Sequence, residues 1–186
     1  MKEKYFVYHR LLLVTVLYSV LSVAAFWISG YFTLGDKPRY EGNNLTTIMT
    51  FVILVAGIIL FLLKAKNIKR DSSLGFMSAA GLVFALHIGL FVFIFTYISV
   101  TVVEPEYLEK ALATARASWE ASGYTEEKMT SDWKSSGLFR DATGYSLLSA
   151  MFLSVTALLA SFLFSLGYGL RNLMRYNRRI REYSKT

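Results

Sequence analysis

Four long runs of apolar residues, separated by shorter polar segments, make up most of the sequence. They cover residues 11–32, 45–63, 74–103 and 145–170, and none of them contains Asp, Glu, Lys or Arg. A helix needs about 20 predominantly apolar residues to cross the hydrocarbon core of a bilayer. Backbone polar groups in lipid have to be satisfied within their own segment, so runs of this length predict helices rather than strands. The pattern predicts an all-α integral membrane protein, a four-helix transmembrane bundle.

The composition agrees with this class. Of the 186 residues, 54% are hydrophobic and 18% are charged, and the chain has no cysteine. The lack of cysteine excludes disulfides, zinc–thiolate sites and the cysteine-paired loop of tetraspanins. We expect residues 1–186 to form a single membrane domain.

Positive charge is unevenly distributed between the two sides that the four spans define. Thirteen Lys and Arg residues lie in the N-terminal segment, in residues 64–73 and in the tail 171–186, whereas the loops 33–44 and 104–144 hold seven. Positive residues in short loops are retained in the cytoplasm, so both termini are predicted to be cytoplasmic. The net charge of +7 then fits anionic lipid headgroups as the partner of the basic tail, and we expect no nucleic-acid partner.

Residues 104–144 are the one sizeable segment outside the membrane and predict a helical hairpin. In its first half, apolar residues recur at three- and four-residue steps until Gly123, which favours the end of a helix. Thr125 is a suitable start for a second helix, which Gly137 would end. On the first helix we predict a docking face that consists of Tyr107, Leu108, Leu112 and Trp119.

His87 is the candidate polar site inside the membrane, because ionisable side chains within spans are costly and often functional. It has no second histidine or acidic residue beside it within the spans, as a proton pathway or a metal site would need. A hydrogen bond to a hydroxyl on another span, such as that of Thr156 or Tyr18, is the structural interpretation that we favour over a transport or sensing role. We nominate no catalytic, cofactor-binding or metal-binding residue, and we expect the chain not to be an enzyme.

Small residues form a stripe along the fourth span at steps of four, three, four and four. The stripe consists of Ala150, Ser154, Ala157, Ser161 and Ser165. The third span adds Gly75, Ser78, Ala79 and Gly81. Such residues let helix backbones approach closely in lipid. We interpret the stripe as a packing surface within the bundle, with self-association or a partner helix as the alternative.

From the third span onward, the order of features resembles a family of uncharacterised bacterial four-span membrane proteins, DUF4199. The residues that carry the resemblance are Lys69-Arg70-Asp71 before the third span, Tyr97 and Pro105 near its outer end, the amphipathic helix expected at 107–121, and the turn Gly123-Tyr124-Thr125-Glu126-Glu127. The resemblance implies a protein of the bacterial inner membrane whose hairpin faces the periplasm. It implies no activity, cofactor or site residue.

The sequence leaves two functions open. The leading hypothesis is a non-enzymatic interaction or accessory subunit that contacts a second copy or another membrane protein through the docking face and the stripe. The alternative is a small oligomeric transporter or channel component, which His87 and the hydroxyl-bearing spans would favour.

Overall fold

The computed structural model describes residues 2–34, 44–69, 73–123, 125, 127–128 and 141–183. Regular structure within these ranges is helical, with no strand. Its helices are α1 (Lys2–Leu34), α2 (Asn44–Lys69), α3 (Leu74–Ile98), α4 (Tyr107–Ala121) and α5 (Ala142–Tyr183). A π-helical segment, Ser99–Val103, continues α3 at its C-terminal end.

Four of these helices can cross a membrane. The stretches that are long and apolar enough are Val7–Ile28, Phe51–Lys69, Leu74–Val103 and Ala142–Asn177. Large apolar side chains cover the outside of the bundle, and Leu86 and Phe152 are 63% and 70% exposed. So many exposed large apolar side chains are unfavourable in water but match the acyl chains of a bilayer. The predicted all-α, four-span architecture is confirmed, and the chain is a multi-pass membrane protein.

The four spanning helices run alternately up and down. α3 packs against α5 on one side and α1 on the other, and α2 packs against α1 and α5. α2 and α3 also meet across the centre of the bundle. This arrangement brings the start of α1, the ends of α2 and α5 and the start of α3 to one end of the bundle, here called the basic end. α4 follows α3 at the opposite end.

Two stacked aromatic rings fill the centre. The rings of Phe61 on α2 and Phe84 on α3 lie 4.5 Å apart, centroid to centroid, at an interplanar angle of 15°. Both side chains are buried. Four further buried side chains belong to the same apolar cluster, namely Ile58, Leu62, Met77 and Ile88. The interior at this level is therefore packed with apolar side chains.

Local sequence explains where several helices begin and end. The Ser73 hydroxyl accepts a hydrogen bond from the Phe76 backbone N–H at 3.3 Å and so caps the start of α3. Asp141 does the same for α5, since its carboxylate accepts from the Gly144 N–H at 2.6 Å. After α4, Gly123 adopts a φ of 75°, a conformation that glycine reaches without strain.

α5 and the predicted hairpin differ in how much of them the structure describes. α5 continues without a break to Tyr183, through most of the basic tail. Of the predicted hairpin, α4 is the first helix, whereas the proposed second helix falls almost entirely outside the described residues.

Candidate functional site

The small-residue stripe of the fourth span lies on the face of α5 that packs against α3. Ala150, Ala157, Ser161 and Ser165 are buried, and Ser154 is half-buried. Gly81 of α3 lies directly against Ser161, because a Cβ at Gly81 would overlap the Ser161 Cβ and come within 2.9 Å of its Oγ. Two turns further along α3, a Cβ at Gly89 would overlap the Ser154 Oγ and lie 3.6 Å from the Ala150 carbonyl oxygen. Glycine at these two positions permits the close approach of the two backbones.

Several serine hydroxyls of α5 donate hydrogen bonds within their own helix. Ser161 Oγ donates to the Ala157 carbonyl at 2.7 Å, and Ser165 Oγ donates to the Ser161 carbonyl at the same distance. Ser146 Oγ donates to the Ala142 carbonyl at 2.6 Å. Local bonds of this type satisfy a serine in an apolar environment without a partner on another helix. Ser161 and Ser165 of the stripe therefore need no hydrogen-bond partner on another helix.

A second close contact, which was not predicted from the sequence, joins α1 and α2. Thr15, Ser19 and Ser22 are buried on α1 at steps of four and three residues. Gly57 of α2 lies against Ser22, because a Cβ at Gly57 would overlap the Ser22 Oγ and approach its Cβ to 3.2 Å. The spacing of the three hydroxyl residues was the available signal, and it resembles that of the stripe on α5.

His87 is half-buried on α3, and its hydrogen bond stays within that helix. Nδ1 lies 2.8 Å from the Val83 carbonyl oxygen. Because a carbonyl only accepts, Nδ1 carries a proton in this arrangement, and in the neutral ring Nε2 is then the acceptor. The proposed partner Thr156 donates instead to the carbonyl of Phe152 in its own helix, at 2.9 Å. Within the described ranges, no group of three His, Asp or Glu side chains is placed to hold a metal ion.

The proposed docking face lies on α4, at the end of the bundle opposite the basic end. Tyr107 connects the start of α4 to α5. Its hydroxyl lies 3.2 Å from that of Tyr145, and the two ring centroids are 5.8 Å apart. Leu108 and Trp119 are half-buried, and the side chain of Leu112 falls outside the described part of the structure. The described side chains of this face are thus only partly covered.

An ion pair stabilises the first turn of α4. Lys110 Nζ lies 2.7 Å from a carboxylate oxygen of Glu106, the N-cap residue. The hydrogen bond and the charge of Lys110 lower the pKa of Glu106. A lowered pKa in the folded state means that the pair contributes stability above the ordinary pKa and loses it as the pH falls. Both side chains are mostly exposed, so the contribution is small.

The basic end gathers cationic side chains from three helices. They are Arg10 on α1, Lys64, Lys66 and Lys69 on α2, and Arg171 and Arg175 on α5. Lys66 donates to the Tyr168 hydroxyl and so connects the ends of α2 and α5. Beside this cluster, α1, α2 and α3 enclose a groove of about 630 Å³, here called the basic-end groove.

Comparison with known proteins identifies the family. Residues 14–171 match a family described as "Protein of unknown function (DUF4199)", which covers more than half of the chain. The chain belongs to the DUF4199 family. The resemblance seen in the sequence is confirmed. No curated protein and no solved structure is detectably similar to the chain.

The part of this DUF4199 protein that matches the family contains the stripe, His87 and α4. It also contains Gly81, Gly89 and the α1 hydroxyl residues from Thr15 onward. The first turns of α1 and the whole basic tail beyond Arg171 lie outside the match. The close helix contacts therefore fall within the segment that defines the family.

Proposed function

We propose that this DUF4199 protein is a non-enzymatic, multi-pass protein of the bacterial inner membrane that works as an interaction or accessory subunit through α4. The observation that carries the proposal is the position of α4. It is an amphipathic helix attached to α5 through Tyr107 and Tyr145, with the half-buried Trp119 near its other end. Partly exposed aromatic residues are enriched where proteins contact each other.

The charge distribution supports an orientation with both termini in the cytoplasm and α4 in the periplasm. The fold gathers the cationic ends of α1, α2 and α5 on one side of the bundle, and cytoplasmic segments of membrane proteins carry the excess of Lys and Arg. The basic tail then lies next to anionic lipid headgroups.

Single-cysteine variants test this orientation directly, because the chain has no cysteine of its own. We expect a membrane-impermeant maleimide to label Ala117→Cys in intact spheroplasts, since Ala117 is an exposed residue of α4. Arg175→Cys, at the basic end, should be labelled only after permeabilisation. The reverse pattern would place α4 in the cytoplasm and contradict the proposal.

A photo-crosslinking experiment tests the interaction through α4. A photoreactive amino acid at Trp119 should capture a specific protein in native membranes, whereas the same amino acid at Ala117 should not. Ala117 is the matched control, because it is exposed on the same helix and lies about 200° around the axis from Trp119. The expected product is one discrete adduct that mass spectrometry identifies as another membrane protein or as a second copy of the chain. Equal adducts at both positions, or none at Trp119, would remove the support for a docking face.

The packed centre of the bundle argues against the alternative function, a small oligomeric transporter or channel component. Phe61 and Phe84 stack where a pathway through one chain would run. The hydroxyls of Ser161 and Ser165 and the His87 ring bond to carbonyls of their own helices. These observations support the accessory subunit over a pathway through one chain.

A further inference from the structure

The basic-end groove has an apolar interior. Its walls are α1 and α3, each of which contributes about two turns, or roughly 10 Å along the axis. Leu11 and Leu12 line the α1 side, Ala79 and Val83 line the α3 side, and Phe61 of α2 lies at the inner end. The one hydroxyl residue deep in the groove, Thr15, donates to the Leu11 carbonyl at 2.8 Å. The interior therefore suits a hydrocarbon chain.

The groove is also open towards the membrane. Leu12 and Val83, which lie on opposite walls, are 51% and 42% exposed, and Ala79 is exposed as well. Both walls belong to stretches that can cross a membrane. A lipid chain can therefore enter from the side, without passing through water.

The mouth of the groove is polar and cationic. Lys69 and His9 line it together with Tyr8. The Lys69 Nζ lies 4.5 Å from the centroid of the Phe76 ring, which places the ammonium on the rim. Arg10 follows His9 on α1, and the rest of the cationic cluster occupies the same end of the bundle. Basic pockets between spanning helices attract acidic lipid headgroups.

We infer that the basic-end groove binds an anionic phospholipid, with one acyl chain between α1 and α3 and the phosphate beside Lys69. Charge complementarity selects the headgroup, since a lipid without net charge gains less from the ammonium. The volume of about 630 Å³ falls within the range of small-molecule sites. The inference does not depend on the docking role proposed for α4.

Titration of the purified chain with palmitoyl-oleoyl phosphatidylglycerol and with palmitoyl-oleoyl phosphatidylcholine, followed by native mass spectrometry, tests the headgroup. We expect the phosphatidylglycerol to bind more tightly, and we expect Lys69→Gln to weaken it about fivefold, the effect of one Lys near an anionic surface. Lys64→Gln is the matched control, because Lys64 lies at the same end but does not line the groove. Equal affinity for the two lipids, or equal weakening by both variants, would overturn the inference.

A second pair of variants tests the groove itself. Ala79→Trp should fill it and lower the occupancy of both lipids at least fivefold, because the acyl chain loses its place. Ala56→Trp is the control, since Ala56 is an exposed alanine of a spanning helix that lies outside the groove. If Ala79→Trp bound phosphatidylglycerol as the unmodified chain does, the lipid would lie elsewhere and the assignment would be wrong. If Ala79→Trp did not fold, the comparison of Lys69→Gln with Lys64→Gln would still decide the inference.

Discussion

Gly81→Ala is expected to lower the free energy of unfolding in mixed micelles by about 1–3 kcal/mol, the usual cost of an inserted methyl group in a packed core. The new Cβ would overlap the Cβ of Ser161 and lie 3.7 Å from its Cα. These atoms belong to a buried position of α5 and cannot rotate away, so the two helices must separate. The loss should appear although alanine is the better helix former by about 1 kcal/mol.

Two further variants show whether this contact is the cause. Gly75→Ala is the control on the same helix, because a Cβ at Gly75 meets nothing within 4 Å, and it should be neutral or slightly stabilising. Ser161→Gly removes the atom that the new methyl group would meet. The double variant should therefore be more stable than the sum of the two single changes predicts, by about 1 kcal/mol or more. Strict additivity would show that Gly81 and Ser161 do not pack against each other as described.

The sequence could predict which face of α5 packs but not which residues of α3 it meets. The steps of four and three in the stripe show directly on the sequence, because helix geometry alone places those residues on one face. The third span offered Gly75, Ser78, Ala79 and Gly81 as candidates. The structure brings Gly81 against the stripe, whereas Ala79 faces the basic-end groove. The rotation of α3 decides among them, and long-range packing sets that rotation.

The contacts at the centre of the bundle and the basic-end groove could not be predicted from the sequence either. Phe61 and Phe84 lie in different apolar runs, and nothing in their local sequence indicates that their rings stack. The basic-end groove is lined by residues of three helices that are distant in the sequence. The space between helices depends on the angles at which they cross. The spacing of apolar residues within one helix does not indicate those angles. In contrast, the end of α4 could be predicted, because Gly123 follows its last residue, Ala121, by two positions.

Phe84→Ala is expected to cost about 3 kcal/mol of unfolding free energy, the lower end of the range for such changes in water-soluble cores. Phe84 is fully buried and stacks on Phe61, so its removal leaves a cavity in the centre of the bundle. The lower end applies because the helices stay in an apolar environment when the bundle comes apart, so little apolar surface is transferred to water. The lost packing contacts of the Phe84 ring then make up most of the cost. Phe152→Ala is the control, because that ring is 70% exposed on the outside, and it should stay within about 0.5 kcal/mol. Unfolding in mixed micelles measures both.

Phe61→Ala should cause a similar loss of stability, but it differs from Phe84→Ala in one respect. Phe61 lines the basic-end groove, whereas Phe84 does not. Removing the Phe61 ring deepens the groove, so the affinity for phosphatidylglycerol should change in Phe61→Ala and stay near that of the unmodified chain in Phe84→Ala. If both variants altered lipid affinity equally, affinity would depend on the stability of the bundle. A change in lipid affinity confined to Phe61→Ala would show that this ring belongs both to the core and to the inner end of the groove. Lipid binding would then be coupled to the packing of α2 against α3.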